Sequence, residues 1–139
     1  MANITITASD VAPGANVMQV KGVAGATITA GQALYLDAAT STYKLAIATA
    51  EDTAAFKGIA LCSASAGQPV VIAKNDSDLD LGNQLSVGEV YCVSATAGAI
   101  APVADLVTGN FVSIVGIANA SDSLYVITDP GTRSTAAKA

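Results

Sequence analysis

Asp76-Ser77-Asp78-Leu79-Asp80 is the one acidic cluster in the chain. Carboxylates at alternate residues are the donors that hard cations such as calcium take. A calcium loop starting at Asp76 would need Gly at its sixth place and Glu at its twelfth, but Leu81 and Val87 stand there. Asp78 and Asp80 alternate with Leu79 and Leu81, as on the solvent face of an amphipathic strand. The cluster reads as a solvated linker rather than a cation site. Cys62 and Cys92 are too few for zinc, and their spacing fits no zinc pattern. They read as free thiols serving as small apolar side chains. Ser and Thr are plentiful, but the chain has no His, so only Lys remains as a base, and no Gly-x-Ser-x-Gly elbow occurs. Lys44 and Lys74 lack the flanking residues of a lipoyl or biotinyl carrier. No Gly-rich loop leads from a strand into a helix to cradle phosphate. The inventory predicts no enzyme, no cofactor and no metal site.

Composition narrows the classes further. The chain has 139 residues, the size of one domain, with a net charge of −5. Hydrophobic residues make up 52%, yet 29 residues are Ala and aromatics are only 4%, so the apolar content is small side chains. The six cations are scattered, whereas a nucleic-acid surface clusters Lys and Arg and adds aromatics for stacking. No apolar run reaches the length of a bilayer span, and the start, MANITIT, does not read as a secretory signal. Neither nucleic acid nor membrane is expected as a partner.

The elements that must position any site are short, β-branched segments punctuated by Gly, Pro, Asn and Asp, the signature of an all-β domain. Expected strands are 3–7, 17–21, 33–37, 43–47, 57–62, 69–74, 89–95, 100–103, 111–118 and 124–128. The stretch 48–56 is too short for a stable helix and reads as a loop or one helical turn.

An internal repeat organises these strands. Thr29-Ala30-Gly31-Gln32 followed by an apolar strand matches Ser86-Val87-Gly88-Glu89 followed by another. Each is followed by a hairpin, then by the tripeptide Gly58-Ile59-Ala60 or Gly116-Ile117-Ala118, then by a last strand, Val70-Val71-Ile72 or Tyr125-Val126-Ile127. The offset is 57 at the first Gly, 58 at the second and 55 at the last Ile. A duplicated supersecondary unit leaves such a trace. It predicts a single domain over 1–139: an N-terminal arm or first strand (1–16), repeat 1 (17–75), repeat 2 (76–130) and a mobile tail (131–139). The expected architecture is a compact β-sandwich or flattened barrel of two β-meanders related by a pseudo-twofold. A Gly inside a strand marks a bulge or a close backbone approach, which is the role expected for Gly58 and Gly116. The alternating start, Ala2, Asn3, Ile4, Thr5, Ile6 and Thr7, lies outside the repeat. It is either an ordinary first strand or an arm that pairs with another chain.

The run Ile28 to Leu36, then Tyr43-Lys44-Leu45-Ala46, then Phe56-Lys57-Gly58-Ile59-Ala60-Leu61, then Ala66-Gly67-Gln68-Pro69-Val70-Val71-Ile72 resembles the small capsid decoration (cement) proteins of tailed bacteriophages. The order of motifs carries the resemblance over 28–73, and it recurs more loosely over 85–127. The segment Asn119-Ala120-Ser121-Asp122-Ser123 departs from it by lacking the Gly and Pro of the last turn. The resemblance implies a non-enzymatic virion protein, made in the host bacterial cytoplasm, on the outer surface of an icosahedral head. It implies the phage major capsid protein as partner, bridged by a homotrimer at threefold and quasi-threefold positions. The contacts expected are the arm 2–9, the loop with Glu51, Asp52 and Phe56, and the junction 75–80. The alternative is a head-fibre or tail adhesin module that binds a carbohydrate or host surface; a bacterial surface protein is a third reading.

Overall fold

The computed structural model describes residues 4, 6–14, 17–50, 53–82, 85–105, 108–126 and 133–137, with 133–137 and Ser77 described by backbone alone. The fold is all-β. Its strands are β1 (Val11–Ala12), β2 (Met18–Val23), β3 (Ala33–Asp37), β4 (Thr42–Leu45), β5 (Phe56–Ala60), β6 (Pro69–Leu81), β7 (Val90–Val93), β8 (Ile100–Pro102), β9 (Phe111–Ala120), β10 (Ser123–Val126) and β11 (Arg133–Ala137). Short 3-10 turns occupy Ala8–Asp10 and Val103–Asp105.

Eight strands form one antiparallel path that is not closed, β4-β3-β5-β6-β10-β9-β7-β8. The order shows the duplication: β4-β3-β5-β6 in the first half is matched by β8-β7-β9-β10 in the second. The turns agree at the level of single hydrogen bonds. Gly31 N–H donates to the Ala60 carbonyl and Gly88 N–H to that of Ala118, both at 2.8 Å. Ala60 N–H returns to Gln32 and Ala118 N–H to Glu89, both at 3.0 Å. Both halves carry the bulge expected before the strand Gly. The register steps from Leu34↔Gly58 to Tyr35↔Phe56, and from Tyr91↔Gly116 to Cys92↔Ile114. In each half the Gly lies against the next strand's backbone, at the Ala73 carbonyl or the Tyr125 carbonyl, where a Cβ has no room.

Strand β6 joins the halves. Its first part pairs with β2 and β5, and its second with β10 and β1. The expected linker at 76–80 is therefore corrected to continuous strand. The reason lies in its alternation: Leu79 and Leu81 are fully buried in the core, which holds the backbone extended across the junction. The tail is also corrected. Arg133–Ala137 pairs with the start of β9, at Arg133↔Ser113 and Ala137↔Phe111. At the other end Ile4, Ile6 and Thr7 lie outside the strands; Ala2, Asn3 and Thr5 are outside the described residues.

The last strand shifts the sequence alignment. Ile59↔Ala73 and Ala60↔Ile72 correspond to Ile117↔Tyr125 and Ala118↔Leu124. The offset there is 52 rather than the expected 55. An odd shift moves every side chain of a strand to the opposite face.

The halves do not offer the same face to the core. The shared core takes Ala33, Ile59 and Ala73 from the first half, and Tyr91, Ala118 and Leu124 from the second. The first-half counterparts of that second set, Leu34, Ala60 and Ile72, point the other way into a smaller cluster with Ala24, Ile28, Ala64 and Val70. Strand β2 flanks this cluster through Val20, and Ala24 bridges onward to Tyr43 of β4. A strict twofold would give equivalent residues equivalent surroundings. Here one face of the first half stacks on the opposite face of the second.

Candidate functional site

The N-terminal segment lies over the seam between the halves. Ile4 N–H donates to the Ile100 carbonyl at 2.9 Å, and Ile4 and Ile6 are half-buried against the shared core. Thr7 is exposed and its carbonyl accepts the Asp10 N–H at 2.9 Å, which starts the first 3-10 turn. With the turns at Thr29–Gln32 and Thr96–Ile100, Ile4 and Ile6 line a groove of about 330 Å³. Its backbone is internally satisfied where the halves meet. Ala33 N–H donates to Gly98, Gly98 N–H to Ala46 and Ala46 N–H to Ala33, at 2.9, 2.7 and 2.9 Å. The side-chain oxygen of Gln32 accepts the Thr29 N–H at 2.8 Å. The groove is thus an apolar and amide-lined seam with no ionisable lining residue.

The other candidates are dispersed. Glu51 and Asp52 are outside the described residues. Phe56 lies on β5 and is 7% exposed, anchored in the shared core. In the acidic cluster Asp76 is 2% exposed. Its Oδ2 accepts the Gly14 N–H at 2.8 Å and its Oδ1 the Asp78 N–H at 3.0 Å. Asp80 accepts the Gly82 N–H at 2.9 Å. These carboxylates tie backbone together, and no group of three metal-type ligands stands together among the described residues. Cys92 is buried, and desolvation, with the Asp105 carboxylate adding to it, pushes its thiol up to about 12. A thiol in that environment is not a nucleophile at neutral pH. Cys62 is half-buried and its sulfur accepts the Val71 N–H at 3.3 Å.

One spacing of interest for acyl transfer is present at Ser41-x-x-Lys44. The pair needs a helical turn to stack its groups, whereas here Ser41 is in the left-handed turn of the β3–β4 hairpin and Lys44 is on β4. The Lys44 Nζ sits 2.6 Å from Asp37 Oδ2. That hydrogen bond holds the Asp37 carboxyl below its ordinary value and the Lys44 ammonium above its own.

The register uncovers a surface that the sequence alignment had hidden. Val90, Ile117 and Tyr125 are cross-strand neighbours on β7, β9 and β10. Ile117 is 47% exposed and Tyr125 46%, while Val87, in the turn before β7, is 70% exposed. Their first-half counterparts, Ala33, Ile59 and Ala73, are all fully buried. Aligning the last strands at 52 rather than 55 is the signal that finds them.

No helix among the described residues is long and apolar enough to cross a membrane. Comparison with protein-family models and with curated proteins found no match.

Proposed function

We propose that this chain is a non-enzymatic virion protein, a decoration protein that binds the outer surface of a phage head and bridges major capsid subunits. One observation carries the reading. The ordered motifs behind the resemblance fall on β3, β4, β5 and β6, and their looser copies fall on β7, β8, β9 and β10 in the same spatial order. A bridging protein needs a stiff scaffold that presents apolar and backbone surface more than it needs reactive groups. Two stacked four-stranded units with a continuous β6 between them supply that. The charge of −5 helps keep free copies soluble before assembly.

The proposed shell contact is the seam face, where Ile4 and Ile6 meet the turns around Gly31 and Gly98. Purified chain should co-sediment with expanded heads of the phage that encodes it and not with unexpanded ones. Absence of binding to either form sinks the reading. Removing residues 1–9 should weaken head binding, and undiminished binding would discard the seam while leaving the decoration role.

One observation favours the adhesin alternative: Tyr125 presents an aromatic face beside Ile117 at the surface, a platform on which a sugar ring can stack. Micromolar binding to a defined glycan, lost in Tyr125→Ala, would promote that reading.

A further inference from the structure

The edge strand of each half is covered, but by different parts of the chain. In the first half β2 pairs with the start of β6, and the residues that follow it, Ala24 and Gly25, run beside the edge of β4. Ala24 is buried, and Gly25 N–H donates to the Tyr43 carbonyl at 2.7 Å. In the second half the end of β6 stands in the place of β2, with Leu79 opposite Leu124 as Val20 is opposite Ile72. Ile100 stands in the place of Tyr43, since it pairs with Val93 as Tyr43 pairs with Leu36. Its carbonyl is taken not by the continuation of β6 but by the Ile4 N–H, at 2.9 Å. From Leu85 the chain rejoins the pattern: Leu85 N–H donates to Ser121 as Ile28 N–H does to Ala64. The N-terminal segment therefore occupies a position that the first half fills from within its own unit.

The two covers are held unequally. Ala24 and Gly25 continue directly from the six paired residues of β2. The N-terminal segment is held by Ile4 at one end, by the two-residue β1 on Leu81 and Asp80, and by Gly14 N–H on Asp76. Ile6 and Val11 lie against Gly31, where a Cβ would stand 2.5 and 3.0 Å from their methyl carbons. Ile4 and Ile6 are only half-buried, and the groove beside them has no ionisable lining residue among the described residues. A segment with few buried contacts opens before the rest of a fold does.

We infer that the edge of β8 is a strand-acceptor slot, that the segment 4–12 is its resident occupant, and that an extended segment of another protein displaces it. The incoming segment copies the resident: uncharged over the slot, with β-branched apolar side chains two residues apart and an N–H for the Ile100 carbonyl. A sheet edge takes such a segment as an added strand, main-chain bonds giving affinity and alternate side chains giving specificity. A charged segment is excluded, because nothing lining the groove would pair with it. Until displaced, the resident keeps the edge from pairing indiscriminately. The inference deepens the seam reading and rests on it only for the source of the incoming segment, an extended arm of a shell subunit.

The test uses the full chain, with a fluorescent peptide of its own residues 2–12 as the probe. The resident, tethered at an effective concentration of about 1 mM, should keep the peptide out of the parent. Ile4→Asp with Ile6→Asp puts carboxylates into the apolar slot and weakens the resident's hold. The peptide should bind this variant at least about tenfold more tightly than the parent. The same peptide carrying both substitutions should not bind. Hydrogen exchange in the parent needs no variant. The Ile4 and Gly14 amides, corrected for intrinsic rates, should exchange at least about a hundredfold faster than those of Ala60 and Ala118, which close the two repeat turns. Equal peptide affinity for parent and folded variant, binding of the doubly substituted peptide, or exchange of Ile4 and Gly14 in step with Ala60 and Ala118 would each overturn the inference. So would a parent dimer that the peptide dissociates, which would assign the slot to a second copy. None of these measurements involves a head, so a failure of head binding would sink the shell reading and leave the slot standing.

Discussion

The two halves of this chain are built from one unit and placed in opposite circumstances. In the first, the row Ala33–Ile59–Ala73 is buried, and two of its three members are Ala. In the second, the equivalent row is Val90–Ile117–Tyr125, and it faces outward. Small side chains stand where the two halves of the chain must approach closely, and large ones stand where the described chain covers them only in part. The difference teaches that a duplicated β unit need not bury the same face twice. Head-to-tail stacking leaves the terminal faces unequal: one is closed by β2, and the other stays partly exposed among the described residues.

The strongest way to break the comparison is at the paired glycines, where the halves agree most closely. In Gly58→Ala the new methyl would stand 2.7 Å from the Ala73 carbonyl oxygen, on a residue with φ of +151°. In Gly116→Ala it would meet the Tyr125 carbonyl. Backbone cannot give way as a flexible side chain can. Each variant should lose roughly 3 kcal/mol or more, read as a fall in the urea midpoint with the slope unchanged. A large loss at one site and none at the other would show that the halves do not share the bulge.

Next in size is the pair that sits on opposite sides of the contrast. Ile59→Ala removes a fully buried side chain from the shared core and should cost about 3 kcal/mol. Ile117→Ala, at the equivalent position, should cost under about 1 kcal/mol when measured at concentrations low enough to keep the chain monomeric. Equal losses would mean that Ile117 is covered in the free monomer, and the distinction between the rows would fall.

This same pair shows what could be read from the residues and what could not. The all-β class, nine of the eleven strands (β2 to β10) and both bulge glycines follow from alternation and from Gly within apolar runs. The pairings that precede the last strand of each unit, β3 with β4 and β5 and β7 with β8 and β9, are local enough for turn residues to mark them. The last strand is different: Val70-Val71-Ile72 and Tyr125-Val126-Ile127 match best as letters, but their register is set by pairing with β5 and β9. That pairing places Leu124, not Ile127, at the position of Ile72. Three residues is an odd number, so the letter match sets Tyr125 against Val70 of the smaller cluster, whereas the pairing sets it against Ala73 on the opposite face. The alternation of Ile4 to Thr7 misled in another way, because two apolar residues that pack on a core look alike in a strand and in an extended segment laid across a seam. Nothing local marked Asp76 for burial, since its partners are an amide 62 residues away and its own neighbour's.

Asp76 supplies the third prediction. It stands where β6 passes from one half to the other, so it tests the joint rather than either half. Asp76→Ala removes a carboxylate that accepts the Gly14 and Asp78 amides, and should cost roughly 2 kcal/mol. Hydrogen exchange should rise first at Gly14 and at residues 76–81, ahead of the two cores. Uniform loss of protection would instead mean that the halves unfold as one unit through this residue.

The smallest effect lies at the hairpin that follows the first strand of each unit. Asp37 Oδ1 accepts the Ala39 N–H at 3.0 Å, and in the second half Ser94 Oγ accepts the Thr96 N–H at 3.1 Å. The turn is closed by the same local bond in both. Only the first half adds the ion pair with Lys44, whose second-half counterpart on β8 is the buried Ala101. Asp37→Ser gives the first hairpin the residue of the second, so it keeps the turn and deletes the pair. The hydrogen bond from Lys44, followed by that from Ala39, lowers the Asp37 carboxyl below 3.8, and the hydrogen bond to Asp37 raises Lys44 above 10.5. A lowered carboxylate stabilises the fold above its unfolded value and loses that effect as pH falls through the lowered folded value. A raised ammonium stabilises below its unfolded value and loses that effect as pH rises through the raised folded value. The difference between parent and variant should therefore be flat between the two unfolded values and shrink beyond either end, with high salt shrinking it throughout, as expected of a solvent-facing pair. A difference that persists unchanged into strong acid would mean that it does not come from the ionised pair that sets the first half apart.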